Sequence, residues 1–230
     1  MAEIAAPGFV SALPTVLVPR PAAADPWTEA ETAAAAGDCN AAVPLYRTVL
    51  EAQPGAAKRI AATHSLVLCI ASPEDPWVAR EMMADLLPVV VRHFGARSGG
   101  LARHHAIWAE AEVRAGALNV AWRRAEAAIG AARSAGEIDP FDHAAELYRL
   151  AAIQIARGES GAFRAFLARE MQNLTAAKWA ASGDDELFLE VLGNVPPEGD
   201  DAAFADWTRA GLVELDPRAL YLDLLPETPS

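Results

Sequence analysis

The stretch AGDCNAA at residues 36–42 returns as AGALNVA at residues 115–121, and ARGESGAF at residues 156–163 repeats the small-residue turn around Gly158. Gly116 and Gly158 are 42 residues apart, and Gly37 and Gly116 are 79 apart, close to two such intervals. Glycine tolerates the left-handed conformation that ends a helix, and an Asp beside it can satisfy the free amides that open the next. A chain punctuated in this way at near-regular intervals is constrained to a series of helix pairs.

The first pair is the clearest. DPWTEAETAAAA opens at Asp25 with Pro26 as its first helical residue. After Gly37 and Asp38 a second helix runs to about Ala52, with Ala42, Tyr46, Val49 and Leu50 on one face and Pro54 just past its end. Pro44 is expected in the first turn, where a missing amide donor costs little. Composition agrees, since 53% of the chain is hydrophobic but only 7% is aromatic. Much of the apolar content is therefore alanine, the strongest helix former, which favours closely packed helices over a sheet.

Gly37, Ala42, Tyr46, Val49 and Pro54 fall at the spacing that tetratricopeptide repeats use in the turn, second helix and terminator of a unit, and residues 37–55 resemble that family. The resemblance implies that Ala42 lets paired helices approach closely, Tyr46 fills the space between them, and Pro54 turns the chain toward the next unit. Extended along the sequence, it implies an all-α fold: an α-solenoid of about four antiparallel helix pairs over residues 25–53, 57–95, 101–135 and 140–181. The period is nearer 40 residues than the family's roughly 34, and the later pairs lack the aromatic and proline markers. A generic α-solenoid or an irregular bundle is the alternative.

The expected organisation is a leader or degenerate signal over residues 1–24, a repeat domain over 25–183, and an acidic helical cap over 184–230. The last unit of a solenoid otherwise exposes its apolar side, and a helical tail with a polar outer face would cover it. Three tail segments, DDELFLEVLGN, DDAAFADWTRAGLVEL and DPRALYLDLL, each open with an aspartate.

Charge is unevenly placed. The net charge is −12, and residues 184–230 hold twelve acids against Arg209 and Arg218, leaving the rest of the chain at −2. Phosphate binding needs a clustered excess of Lys and Arg, so nucleic acid is not the expected partner. Residues 92–133 do carry seven arginines against Glu110, Glu112 and Glu126. That run reads as a solvated helical face, or as a basic groove that receives an acidic segment such as this chain's own tail.

The first 24 residues place an apolar run before Ala22, Ala23 and Ala24, which a signal peptidase could cleave before Asp25. Glu3, Pro14, Pro19 and Arg20 argue against that reading. No run approaches the roughly 20 apolar residues of a membrane span. Cys39 begins the second helix of the first pair and Cys69 lies near the end of the following helix. Antiparallel packing of those helices brings the two ends together, and the alternative is two small buried thiols. A bridge would point to an oxidising compartment such as the bacterial periplasm. Periplasmic or exported and cytoplasmic locations stay equally open.

No catalytic motif is evident: there is no Gly-rich phosphate loop, nucleophile elbow or CxxC, and no cofactor is expected. His104 and His105 project about 100° apart on a helix, which does not suit one metal. The five histidines therefore read as surface or capping residues, and the six tryptophans mostly as core filling. The expected function is a non-enzymatic scaffold that binds a peptide or partner helix on a concave surface lined by the first helix of each unit. That lining would include Thr28, Glu31, Arg59, Thr63, His104, Trp108, Glu112, Leu147 and Gln154, with Arg59, His104 and Trp108 as the main contacts. A homo-oligomerisation module using the tail helices, or an enzyme-associated subunit, are the other readings.

Overall fold

A computed structural model of the chain describes residues 25–72, 74–136, 139–182, 195–215 and 219–227. The fold is all-α. In chain order the helices are α1 Pro26–Ala35, α2 Cys39–Glu51, α3 Ala56–Ile70, α4 Pro76–Phe94 and α5 Gly99–Arg114. They continue as α6 Leu118–Ala135, α7 Pro140–Arg157, α8 Ser160–Ser182, α9 Asp201–Leu215 and α10 Ala219–Leu222. No helix among the described residues is long and apolar enough to cross a membrane. The leader at 1–24 and the whole of DDELFLEVLGN lie outside the described residues.

Side-chain caps fix several of the starts. Asp38 accepts the Ala41 amide at 3.0 Å, Ser98 that of Leu101 at 3.2 Å and Asp139 that of Phe141 at 2.8 Å. Gly37 and Gly116 adopt φ values of 75° and 68°, so the repeated AG motif closes α1 and α5 in a conformation that penalises any Cβ. One expectation is corrected here. Because Asp38 caps a helix that begins at Cys39, Pro44 lies inside α2 rather than in its first turn. The amide it lacks would have bonded the carbonyl of Asn40, an exposed residue whose carbonyl water can serve instead.

Each helix from α1 to α7 packs on the next, as short turns between them require, and α3 also touches α1 and α5. The α1–α3 core is Ala30, Ala42, Tyr46, Val49, Ala62 and Leu66. Tyr46 is fully buried and its hydroxyl donates to Glu31 Oε1 at 2.6 Å. Cys39 and Cys69 form a disulfide across α2 and α3, with Cα atoms 5.1 Å apart and 30 residues between them. Val67, Met83 and Trp108 knit α3, α4 and α5 together.

The largest core lies around α7, which packs against α6, α8, α9 and α10 and buries Leu147, Tyr148, Leu150, Ala151 and Ile153 completely. A helix apolar on nearly every side has to be surrounded, and α9 completes the enclosure. The start of α9 is held by Arg164 of α8, which is only 4% exposed. Its guanidinium donates to the Asp200 carbonyl at 3.1 Å, pairs with Asp201, and stacks 4.4 Å from the Phe204 ring centroid. The middle of α9 lies under Tyr148, and its end, Leu215, borders the same groove as the first turns of α7. α9 therefore runs antiparallel to α7.

Candidate functional site

Beside α9 the surface opens into a groove of about 650 Å³ between α5 and α7, with part of α6 beneath it. The α5 wall is Ala102, Arg103, Ala106, Ile107 and Glu110, whose spacing places them on one helical face. Ala128 and Ala132 of α6 and Ala145 of α7 line the interior, with Leu68 of α3 and Leu215 of α9 also bordering it. The depression follows from composition. Alanine has nothing beyond Cβ, so two helix backbones can share a floor without filling the space above it.

The rim and walls carry charged side chains, and alanines form the floor. Phe141, at the start of α7, is 40% exposed, although the capping bond from its amide to Asp139 fixes its backbone. Glu146 pairs with Arg149, and Glu110 pairs with Arg114 at 3.0 Å, so the partly buried acids of the walls are neutralised. Arg103 stands exposed on the α5 side, opposite Asp139 and Asp142 at the start of α7. His143 is 4% exposed, and its Nδ1 has no hydrogen-bond partner among the described residues. Burial lowers its pKa, with Glu170 opposing and Arg133 reinforcing that shift, which keeps the imidazole neutral near pH 7. The arrangement suits an amphipathic segment, with its apolar side on the alanines and its charges at the rim.

The structure corrects the expected lining. Arg59 is exposed at the start of α3, but His104 and Trp108 are 0% and 5% exposed. Thr63, Glu112, Leu147 and Gln154 are buried as well, while Thr28 and Glu31 remain exposed. On α5 the error is one of helix phase, because Arg103 and Ala106 face the groove while His104 and Trp108 turn toward α3 and α4. The missed residues, Ala102, Ala106, Ala128 and Ala132, carried a signal in the spacing of small residues along α5 and α6. A small residue, rather than a polar one, marks the open face here.

The histidines also depart from a surface role, since His64, His104 and His143 are buried. His64 Nε2 and His104 Nδ1 lie 3.0 Å apart, linking α3 to α5. That bond needs one ring to donate and the other to accept, so it exists only when at least one ring is neutral. Burial is the main cause that pulls both pKa values down, to about 4 for His64 and about 3 for His104. Arg103 adds to the first shift, and His64, His105 and Arg124 add to the second. Among the described residues, no group of three His, Cys, Asp or Glu side chains is placed to hold a metal ion.

In comparisons with known proteins, no family model, no curated protein and no solved structure matches the chain.

Proposed function

We propose that this protein is a non-enzymatic interaction scaffold, a tetratricopeptide-like α-solenoid that receives an extended peptide or a partner helix in the groove between α5 and α7. The observation that carries this reading is the groove itself: an alanine-floored channel of about 650 Å³ with exposed Phe141 and a charged rim. Large apolar groups left exposed beside a concavity are characteristic of binding surfaces. The packing of α9 on α7 supports the same reading, because this side of the helical array already accepts one amphipathic helix. Phe204 and Leu212 of α9 are buried against α7 and are therefore unavailable to a second copy. The Cys39–Cys69 bridge supports an oxidising compartment as the setting.

The test is selection from a library of displayed random peptides, followed by measurement of each selected peptide against a variant carrying Arg103→Glu and Phe141→Ser. Both positions are exposed, so the fold is retained. Selected peptides should lose about tenfold or more in affinity for the variant. Undiminished binding of every selected peptide would place recognition elsewhere.

A further inference from the structure

The face of α5 turned away from the groove floors a second cleft, of about 480 Å³, between α4 and α6. Trp77 of α4 forms one wall and is 71% exposed, the most exposed large apolar side chain among the described residues. Trp108 and Glu112 of α5 form the floor, and Val120 and Arg124 of α6 the other wall. Three helical stripes thus converge on one polar and aromatic site that the α5–α7 groove does not share.

The two arginines of this cleft are unequally bonded. Arg80 donates to both Glu112 oxygens, Nε at 2.8 Å and Nη2 at 2.6 Å, and Glu112 also accepts the Trp108 indole N–H at 3.2 Å. Glu112 is 1% exposed and spends its oxygens on Arg80 and Trp108, while its charge also favours the charged form of the neighbouring Arg124. Arg124 lies flat on the Trp108 face, its Cζ 3.3 Å from the ring centroid. Among the described residues it has no ion pair and no hydrogen-bond acceptor. Glu81 stands at the rim but is exposed and makes no ion pair with Arg124. Stacking leaves the guanidinium edge free to donate, and a fixed guanidinium edge is matched by a carboxylate.

We propose that this cleft binds an acidic segment of a partner protein, with a carboxylate on Arg124 and the adjacent apolar side chain on Trp77 and Val120. The stacked guanidinium of Arg124, with its edge unbonded, sets the acid, and the exposed indole beside it sets the apolar neighbour. Trp and Arg are also the side chains most often found to dominate binding energy at protein interfaces. This inference does not depend on the groove, and the two can fail separately.

The test is an NMR titration of the full chain with the peptide acetyl-Ser-Glu-Phe-Ser-amide and with its Gln counterpart, reading the indole N–H of Trp77. The Glu peptide should shift that resonance saturably and bind about tenfold more tightly than the Gln peptide. Arg124→Gln should abolish the difference between the two peptides, and Trp77→Ala should weaken both about tenfold. Because Trp77 is exposed, the second variant leaves the core intact. No saturable shift at millimolar peptide, equal affinity for Glu and Gln, or an unchanged affinity in Trp77→Ala would each overturn the proposal.

Discussion

Gly211 of α9 lies so close beneath the Tyr148 ring of α7 that a Cβ at that position would come within 2.1 Å of the ring. Tyr148 is fully buried and Trp207 packs on it with ring centroids 4.5 Å apart, so the ring cannot swing aside without disturbing the core. Gly211→Ala is therefore expected to cost about 1 to 3 kcal/mol as an overpacked contact. Urea unfolding of the two proteins measures it, and an unchanged midpoint would mean that α9 does not sit against α7 as described.

The buried histidine pair makes stability depend on pH. The folded-state pKa values of His64 and His104 are lowered from 6.5 to about 4 and about 3. Below pH 6.5 the unfolded chain takes up protons that the folded chain refuses. Stability is thus full above pH 6.5 and falls as the pH drops toward about 3, the folded-state value of His104. At pH 5 each histidine costs about 2 kcal/mol. Replacing His104 with Asn should flatten this dependence, as urea midpoints at pH 7 and pH 5 would reveal.

Reduction of the Cys39–Cys69 bridge releases a closed loop of 30 residues. Chain entropy puts the loss at about 3 to 4 kcal/mol. A reductant should lower the unfolding midpoint of the native protein and leave a Cys39→Ala, Cys69→Ala variant unmoved. The loss should concentrate in α1 to α3, where hydrogen exchange can locate it.

Arg164→Ala removes the guanidinium that holds Asp200, Asp201 and the Phe204 ring together. Charge-assisted hydrogen bonds are worth about 1.5 to 3 kcal/mol in such settings. The start of α9 should loosen before the rest of the fold does. Limited proteolysis should then cut near residues 195–201 in the variant at protease levels that spare the native chain.

The positions of the helices were legible in the sequence because their ends carry chemistry of their own. Asp25, Asp38 and Asp139 cap starts, and Gly37 and Gly116 close ends, whatever the helices later pack against. The phase of α5 was not legible, because its buried face contains His104 and Glu112, polar residues that a sequence reading assigns to solvent. Each is buried only because a distant residue answers it: His64 lies 40 positions away from His104, and Arg80 lies 32 away from Glu112. The groove was hidden for a related reason. Its floor is alanine, which fits a tight helix contact and an open surface equally well, and only the distance between α5 and α7 decides which it becomes.

The groove is the central claim, and its floor reports on it directly. In a sample with 13C-labelled alanine methyls, the most direct measurement is the chemical shift of Ala128 and Ala132 while a display-selected peptide is titrated in. The account predicts saturable shifts at those two methyls and none at Ala30 or Ala62, which lie in the α1–α3 core. Shifts confined to other methyls, with Ala128 and Ala132 unmoved at saturation, would contradict it.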